Sequence, residues 1–420
     1  MPDIRRGLPE IEDRARHGKL RRSSSLANLV KVLITAVLVV AISGTVVAAY
    51  AVWSVVGEAK TFDLGAQPGA NALDVGAEQL NGELTILLVG SDKRKADSIM
   101  NDGEEGDRND VNLLLHIPAS HDSATIVSFP RDLMVPIPSC TDPDTGDVSD
   151  AMSSQQINTA VKYGGPACVA ATITEITGMP IPYVAEVDFD GVIGISNALG
   201  GVTVCLAQPI EDSFTGLNLP AGEVTVTGVD ALNFVRTRHG VGDGSDVSRI
   251  SNQQVFMSAL LRQLRSAETL SNPAKVYNLA KTGFQYMSLS SSMASLPFLQ
   301  ALAGTAANID LSKINFVQYP TFADPDDPNR LVPDQSSADV LFDVIKSGKP
   351  FQVSKVGGAA VSSGTAPAAT PEPSSEPDAG DSSATDGTAG AGDQAVTVLP
   401  DNITGQSAAS ETCSAGRTEY

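Results

Sequence analysis

The fragment VRTRH carries two arginines, Arg236 and Arg238, separated by one residue. We predict a strand over ALNFVRTR, and residues two apart in a strand project from the same face. Like charges so placed repel each other, while Phe234 and Val235 indicate limited exposure, so a bound anion would resolve the conflict. The planar guanidinium binds phosphate oxygens through two hydrogen bonds and keeps its charge. The motif therefore predicts an anion site, with an ordinary solvated strand face as the alternative.

Further charged residues stand where predicted strands begin or end. Asp92 follows the strand LTILLVG, Asp110 begins the strand in RNDVNLLLHI, and Arg131 with Asp132 closes the strand in IVSFPRD. The loops between these strands are too short for crossover helices, so the strands should pair as an antiparallel meander. We therefore expect two carboxylates and a guanidinium to meet at one edge of the sheet. A turn residue or a surface ion pair would explain each of them taken alone.

The stretch GDGSDVSRISNQQVFMSALL predicts a helix that Ser245 or Asp246 can cap. One face of this helix is polar first and apolar afterwards, and it carries Arg249, Gln253, Phe256 and Leu260. A ligand with a charged head and an apolar chain would fit this gradient. Ordinary helix amphipathicity explains the two apolar residues equally well.

The folded domain is predicted between residues 83 and 350. Strands are expected at LTILLVG, VNLLLHI, ATIVSF, VTVCLA and ALNFVRTR, and helices over 166–177, 250–265 and 273–287. This pattern predicts an α/β or α+β domain with a central mixed, largely antiparallel sheet flanked by helices. A chain of 420 residues suffices for one such domain with appendages.

A long apolar segment precedes this domain. Residues 32–57 contain no charged side chain, and about 20 apolar residues suffice for a transmembrane helix. A buried core helix or a cleaved signal peptide is the alternative. Residues 1–31 form a basic arm, so the positive-inside rule keeps this arm in the cytoplasm and places the domain outside the cell membrane. Residues 58–82, rich in Gly and Ala, are predicted to form a stalk.

Composition changes again at the other end of the chain. Residues 351–420 are dominated by Ala, Ser, Gly, Thr, Pro and Asp, which predicts a disordered tail. This tail could be a wall-spanning spacer or a tolerated appendage. One disulfide among Cys140, Cys168 and Cys205 is favoured over a zinc site, because their spacing is wide and the outer compartment is oxidising.

The net charge of the chain restricts its partners. A formal charge of −21 and a sequence pI near 4.5 argue against a protein that neutralises many phosphates along a nucleic acid. Any phosphate binding is therefore expected to be local.

Eight fragments succeed one another along the chain: GSDKR, RND, PRDLMVPIP, INTAVKYGGP, VDFDGVIGISNALGGVTVCL, LPAG, ALNFVRTRH and DVSRISNQQVF. In their types and order they resemble the LytR-CpsA-Psr family over residues 83–265. The resemblance implies a phosphotransferase that moves a glycopolymer of the teichoic acid, capsule or arabinogalactan type. The donor would be a polyprenyl-diphosphate carrier in the membrane, and the acceptor would be peptidoglycan. Some members also hydrolyse the pyrophosphate.

The resemblance also implies roles for individual residues. The metal carboxylates correspond to Asp92 and Asp110, which would hold Mg²⁺, with Mn²⁺ as an alternative. The phosphate-binding arginines correspond to Arg108, Arg131, Arg236, Arg238 and Arg249, and further motif positions to Arg94 and Gln253. The catalytic set would be Arg131, Arg236, Arg238 and Asp132. The base for the acceptor hydroxyl would be Asp132 or Asp246.

Two motifs depart from the family pattern. The common Arg-Ser-Asp-Thr reads Arg108-Asn109-Asp110-Val111 here, and Gln156 replaces the usual lysine. Both changes reduce the number of charged or hydroxyl side chains near the predicted site. This could alter metal affinity or substrate choice.

Three other classes of function remain open. One is a carrier that binds polyprenyl lipids without turnover. Another is a transcriptional regulator, which the acidic charge and the external domain disfavour. Calcium-dependent adhesion through residues 142–147 is weak, because the glycine is misplaced for an EF-hand loop and no glutamate closes that loop.

Overall fold

The computed structural model describes residues 60–65, 80–94, 98, 100, 106, 108–143, 145–362 and 396–417. The predicted basic arm and transmembrane segment, residues 1–31 and 32–57, lie outside this part of the chain. Among the described residues, no helix combines the length and the apolar character needed to span a bilayer.

The described part of the chain forms twenty strands and eight α-helices. The strands are β1 (Lys60–Phe62), β2 (Leu84–Ser91), β3 (Asn109–Ile117), β4 (Ala124–Phe129), β5 (Met134–Ile137), β6 (Met152–Gln156), β7 (Tyr183–Val187), β8 (Val202–Leu206), β9 (Ile210–Asp212), β10 (Leu217–Leu219), β11 (Gly222–Val226), β12 (Met287–Ser290), β13 (Ile314–Gln318), β14 (Thr321–Ala323), β15 (Leu331–Pro333), β16 (Phe351–Gln352), β17 (Ala360–Ser362), β18 (Thr397–Val398), β19 (Gly405–Ser407) and β20 (Thr412–Ser414). The helices are α1 (Ala160–Thr177), α2 (Phe189–Leu199), α3 (Gly228–Arg236), α4 (Asp246–Leu264), α5 (Ala267–Leu270), α6 (Pro273–Tyr286), α7 (Leu296–Asn308) and α8 (Gln335–Ser347).

Eight strands form the main sheet in the order β1-β12-β7-β2-β3-β4-β13-β19. The centre is the predicted antiparallel meander, with Leu87 opposite Leu114 and Leu114 opposite Val127. Parallel pairings of β2 with β7 and of β4 with β13 flank this meander. The sheet is therefore mixed, as the sequence predicted.

Helices cover both faces of this sheet. Side chains such as Leu87 and Val127 pack with α1 and α8 in one buried cluster. Side chains such as Ile86 and Tyr183 pack with α7 in another. Strands buried on both faces explain why the β2 and β3 segments are nearly continuous apolar runs.

The predicted helices are all present with small shifts at their ends. The helix expected over 166–177 lies in α1, whose backbone breaks at Gly164 and Gly165 just before Pro166. The helix expected over 250–265 begins earlier, at Asp246, because the Ser245 hydroxyl accepts the Ser248 N–H and caps it.

The strand predicted over ALNFVRTR is wrong. Residues Gly228–Arg236 form α3, and Arg238 lies in the loop that follows this helix. Ala231, Leu232 and Phe234 are buried in α3, and a short apolar run of this kind fits a helix and a strand equally well. The two arginines therefore do not share the face of a strand.

The tail predicted over 351–420 is not disordered throughout. Residues 351–362 and 396–417 form short strands, and β19 pairs with β13 at the edge of the main sheet. A smaller sheet in the order β11-β8-β20-β17 uses two further strands from this region. Residues 363–395 lie outside the described part of the chain.

Two disulfides connect distant parts of the domain. The Cys140–Cys168 bridge is the one disulfide expected among the three domain cysteines, whose pairing the sequence left open. A second bridge joins Cys205 to Cys413, which are 208 residues apart, and it fastens the C-terminal segment to β8. The predicted stalk over 58–82 also contributes to the fold, because β1 pairs with β12.

Candidate active site

The end of β2 and the beginning of β3 lie side by side at one end of the main sheet. Asp92, just after β2, donates its backbone N–H to the carbonyl of Arg108 at 3.0 Å. The Asp92 Oδ1 atom accepts the Arg108 N–H at 2.8 Å. Arg131 follows β4 and donates from Nη1 to Asp110 Oδ1 at 2.9 Å. The meander thus brings these predicted residues together.

The first turn of α4 joins the same cluster. Arg249 Nη2 lies 2.6 Å from Asp246 Oδ1, and both side chains are buried. The other oxygen of Asp246 accepts the backbone N–H of Arg131 at 3.1 Å. Arg249 also donates to the carbonyl of Asp110 at 3.1 Å. The helix therefore fixes both the side chain of Arg249 and the backbone of Arg131.

Asp132 lies on the flank of this cluster. It is buried, and its Oδ1 accepts the Gln156 side-chain N–H at 2.9 Å. Its carboxylate lies 3.6 Å from Arg131 Nε and 3.5 Å from Arg330 Nη1. Neither Asp132 nor Asp246 is among the described residues that line the cavity at this site. The base role of either one stays a prediction, while their contacts orient arginines.

Asn109, the first departure from the family pattern, has a structural contact of its own. Its buried side chain donates to Asn112 at 2.8 Å and to the carbonyl of Ile157 at 3.1 Å. Its oxygen accepts the backbone N–H of Val161. Asn109 therefore ties the start of β3 to the start of α1, next to Asp110. Gln156, the second departure, holds Asp132 as described above.

Aromatic rings and helix contacts position the remaining arginines. The guanidinium of Arg236 lies 4.3 Å from the centre of the Phe189 ring, and that of Arg94 lies 5.9 Å from it. Gln253 of α4 donates to the carbonyl of Val235 at 2.9 Å. These contacts fix the C-terminal end of α3, from which Arg236 and the following loop project.

A cavity of about 370 Å³ opens beside these arginines. The charged and polar lining residues are Ser91, Asp110, Arg131, Asp188, Asp212, Thr215, Arg236, Arg238, His239, Arg249 and Gln253. The apolar lining residues include Leu88, Leu113, Val187, Val192, Leu232, Val235, Phe256 and Met257. Arg236 and Arg238 thus do reach a common site, although they lie in a helix end and a loop. Asp92, Arg94 and Arg108 are not among the described residues that line this cavity.

Three arginines beside the cavity have unused hydrogen-bond donors. Within the described part of the chain, the buried Nε atoms of Arg131, Arg238 and Arg249 have no hydrogen-bond acceptor. A buried donor without an acceptor is costly, and a charged one more so. An anion with several oxygens would supply the missing acceptors.

Burial and neighbouring charges shift the pKa values of Asp92, Arg131 and Arg249. Burial and repulsion from Asp110 raise the pKa of Asp92, against the opposing effect of the Arg108 N–H. Burial opposes the charge of Arg131, but the nearby Asp110 and Asp246 outweigh it and raise the pKa of that guanidinium. Burial lowers the pKa of Arg249.

The donor set fits a divalent cation that is completed by a ligand. Among the described residues, no group of three or more His, Cys, Asp or Glu side chains could form a metal site alone. Asp92 and Asp110 repel each other, which a cation between them would relieve. Mg²⁺ commonly uses one or two carboxylates and takes its remaining ligands from phosphates and water. Asp92 and Asp110 are therefore of the residue type that Mg²⁺ uses, and the metal site stays a prediction.

Several residues at the site were missed by the sequence analysis. Phe189, Phe214 and His239 line the cavity, and Arg330 contacts Asp132. His239 directly follows the VRTR motif and could have been included on that ground. Arg330 and Phe214 carry no signal in the sequence, because the hairpins that bring them to the site have strands of only three residues.

The fold therefore places several arginines and an apolar lining in one cavity. The comparison with known families makes this more specific. The LytR_cpsA_psr family model matches residues 55–342, and the chain belongs to this family.

Curated relatives lie at moderate sequence identity. The cell wall biosynthesis protein LcpA of Corynebacterium glutamicum is 32% identical over 271 residues, which cover 56% of this chain and 51% of that protein. The polyisoprenyl-teichoic acid–peptidoglycan teichoic acid transferase TagU of Bacillus mycoides is 29% identical over 236 residues, which cover 55% of this chain and 70% of that protein. The chain thus spans about half the length of LcpA.

A solved structure supports the same fold. The LytR-Csp2A-Psr enzyme of Actinomyces oris is 25% identical, with a TM-score of 0.51 over 69% of this chain and 96% of that one. The mixed sheet with helices on both faces is therefore the family's fold.

Proposed function

We propose that this protein transfers a glycopolymer from a polyprenyl-diphosphate carrier to peptidoglycan during cell-wall assembly. The observation that carries the proposal is the cavity itself, in which Arg131, Arg236, Arg238 and Arg249 accompany an extensive apolar lining. A polyprenyl diphosphate has the same division between a charged head and a hydrocarbon chain. The names of the relatives LcpA and TagU, which refer to cell-wall biosynthesis and teichoic acid transfer, support this substrate class.

The arginines would act on the reacting phosphorus. A hydroxyl of the acceptor attacks the phosphorus that bears the glycan, the bond to the lipid phosphate breaks, and the hydroxyl proton leaves to a base. Negative charge then grows on the phosphoryl oxygens and on the departing lipid phosphate. Arg131, Arg236 and Arg238 would stabilise this charge with preoriented hydrogen bonds. Arg131 is suited to this role, because Asp110 and Asp246 hold its side chain and its backbone.

Mg²⁺, or Mn²⁺ in its place, belongs to the same proposal. Asp92 and Asp110 would hold the ion, and the hydrogen bonds described above engage one carboxylate oxygen of each. When bound, the ion would neutralise charge on the diphosphate.

We further propose that residues 32–57 anchor the protein in the cell membrane, with its N-terminus in the cytoplasm and its domain outside. Both disulfides of the domain support an oxidising, extracytoplasmic location. A domain outside the membrane would meet a lipid-linked substrate at the outer surface of that membrane.

Turnover by the full-length protein in detergent tests this function. The substrate is a polyprenyl diphosphate bearing a short glycan, incubated with peptidoglycan fragments in the presence of Mg²⁺ or of EDTA. Arg131→Ala is compared with Lys275→Ala, which removes a surface ion pair with Glu268. We expect Mg²⁺-dependent transfer that falls by about 10²–10³ in Arg131→Ala and is unchanged in Lys275→Ala. Retention of the lipid without release or transfer to any acceptor would contradict the proposal and favour a non-catalytic carrier.

A further inference from the structure

An exposed aromatic pair stands at the mouth of the cavity. Phe214 lies in the turn between β9 and β10, and its side chain is 79% exposed although it lines the cavity. Its ring stacks on that of His239, with the centres 4.2 Å apart and the planes at 26°. The exposed ring of Phe214 is therefore accessible to a ligand that occupies the cavity.

The turn that carries Phe214 is held in place by a buried carboxylate. Asp212 accepts the Phe214 N–H at 2.9 Å and the Thr237 hydroxyl at 2.5 Å. Asn233 of α3 donates to the carbonyl of Thr215 at 2.9 Å. The hairpin and the arginine-bearing loop thus form one unit, and Phe214 is oriented before any ligand arrives.

His239 is fixed from the opposite side. It directly follows Arg238, and its carbonyl accepts a hydrogen bond from Arg417 of the C-terminal segment at 3.3 Å. The aromatic pair therefore has a constant position relative to Arg236 and Arg238, which line the same cavity.

We propose that Phe214 and His239 form a stacking surface for the first sugar ring of the diphosphate-linked glycan. This inference rests on the proposed function and names a substrate contact within it. A pyranose ring presents a face of C–H groups that packs on an aromatic ring, while its hydroxyl groups remain in water. The first sugar is joined directly to the diphosphate, so a diphosphate at the arginines brings that sugar next to the neighbouring aromatic pair.

The charge of the hairpin favours a sugar over the membrane surface as the occupant. The segment 210–219 contains Glu211 and Asp212 and no Lys or Arg. Segments that lie on anionic membranes combine apolar residues with several basic ones. The hairpin has a single exposed phenylalanine beside an acidic residue and lacks the basic residues of such a segment.

Binding of two matched probes to the full-length protein tests this inference. The probes are farnesyl diphosphate and the same lipid carrying N-acetylglucosamine on its terminal phosphate. We expect Phe214→Ala to weaken binding of the sugar-bearing probe by about threefold to tenfold and to leave binding of farnesyl diphosphate unchanged. Phe214→Tyr, which keeps the ring, should restore wild-type binding of both probes. Tyr277→Ala, at an exposed aromatic residue on α6, should change neither.

Three results would overturn the inference. Equal weakening of both probes would assign Phe214 to the lipid or the diphosphate, and no change with either probe would remove it from the site. Reduced binding of Phe214→Ala to phosphatidylglycerol vesicles, with unchanged probe binding, would assign the pair to the membrane. Failure of the wild-type protein to bind either probe would instead reject the proposed function together with this subsite.

Discussion

Asp246 and Arg249 form a buried ion pair in the first turn of α4, with Oδ1 and Nη2 separated by 2.6 Å and each side chain 5% exposed. The second oxygen of Asp246 holds the backbone of Arg131. One carboxylate therefore positions two of the predicted phosphate-binding arginines, from a helix and from a strand end. Burying both charges costs solvation energy that offsets their mutual attraction. The pair therefore fixes the geometry of the site and contributes little net stability.

Breaking this pair should destabilise the fold. We expect Asp246→Ala to lower the free energy of unfolding by about 3–5 kcal/mol, since it leaves the Arg249 charge buried without its partner. Urea denaturation followed by circular dichroism measures the change. Glu268→Ala is the matched control, because its pair with Lys275 is exposed, and we expect little or no change in the free energy of unfolding. Equal losses of unfolding free energy in the two variants would show that the buried pair contributes no more to stability than the exposed pair.

The Cys205–Cys413 bridge should contribute more to stability than the Cys140–Cys168 bridge. The two close chain segments of 208 and 28 residues, and the chain-entropy account predicts a difference of about 2 kcal/mol in favour of the longer one. We expect the double serine variant at positions 205 and 413 to lose about 2–5 kcal/mol of unfolding free energy. Denaturant titration of the two double variants tests the order. A larger loss for the 140/168 variant would contradict it.

Asp92 should make stability depend on pH in an unusual direction. Burial and Asp110 raise its pKa above 3.8, so the folded chain binds this proton more tightly than the unfolded chain. The contribution of Asp92 to stability therefore falls as the pH rises from 3.8 through the raised pKa, and it stays low above that value. We expect Asp92→Asn to be more stable than the wild type at pH 7, with a difference that shrinks toward pH 4. Lower stability of this variant at pH 7 would refute the sign.

The same variant tests the metal independently of turnover. Ligands that bind only the folded state raise the melting temperature. We expect millimolar Mg²⁺ to raise the melting temperature of the wild type and of Asp150→Asn, an exposed carboxylate elsewhere on the domain. The melting temperature of Asp92→Asn should not respond. A response of all three proteins to Mg²⁺ would remove Asp92 from the predicted metal site.

The sequence predicted the central meander because its three strands are strongly apolar and its loops are short. That topology alone was enough to bring Asp110 and Arg131 together. The sequence could not distinguish the short helix α3 from a strand, since its short apolar run fits both and tertiary packing of Phe234 selects the helix. Arg236 and Arg238 do line the same cavity, although the predicted strand is a helix, and their role as an anion site stays a prediction.

The C-terminal segment shows a second limit of sequence reasoning. Its small polar residues predict disorder, yet Ser414 donates a hydrogen bond to Asn252, whose side chain in turn donates to the carbonyl of Phe234. Such long-range pairs leave no periodic pattern in the sequence. A single residue, Cys413, marked this segment, and its partner could not be identified without coordinates.

The most direct test of the account is a crystal structure of the protein with a short polyprenyl diphosphate. We predict that the diphosphate oxygens lie within hydrogen-bond distance of Arg131, Arg236 and Arg238, and that the hydrocarbon chain lies between Leu88, Leu113 and Phe256. A ligand bound elsewhere, or one whose diphosphate faces solvent while these guanidinium groups keep their present contacts, would contradict the assignment of this cavity.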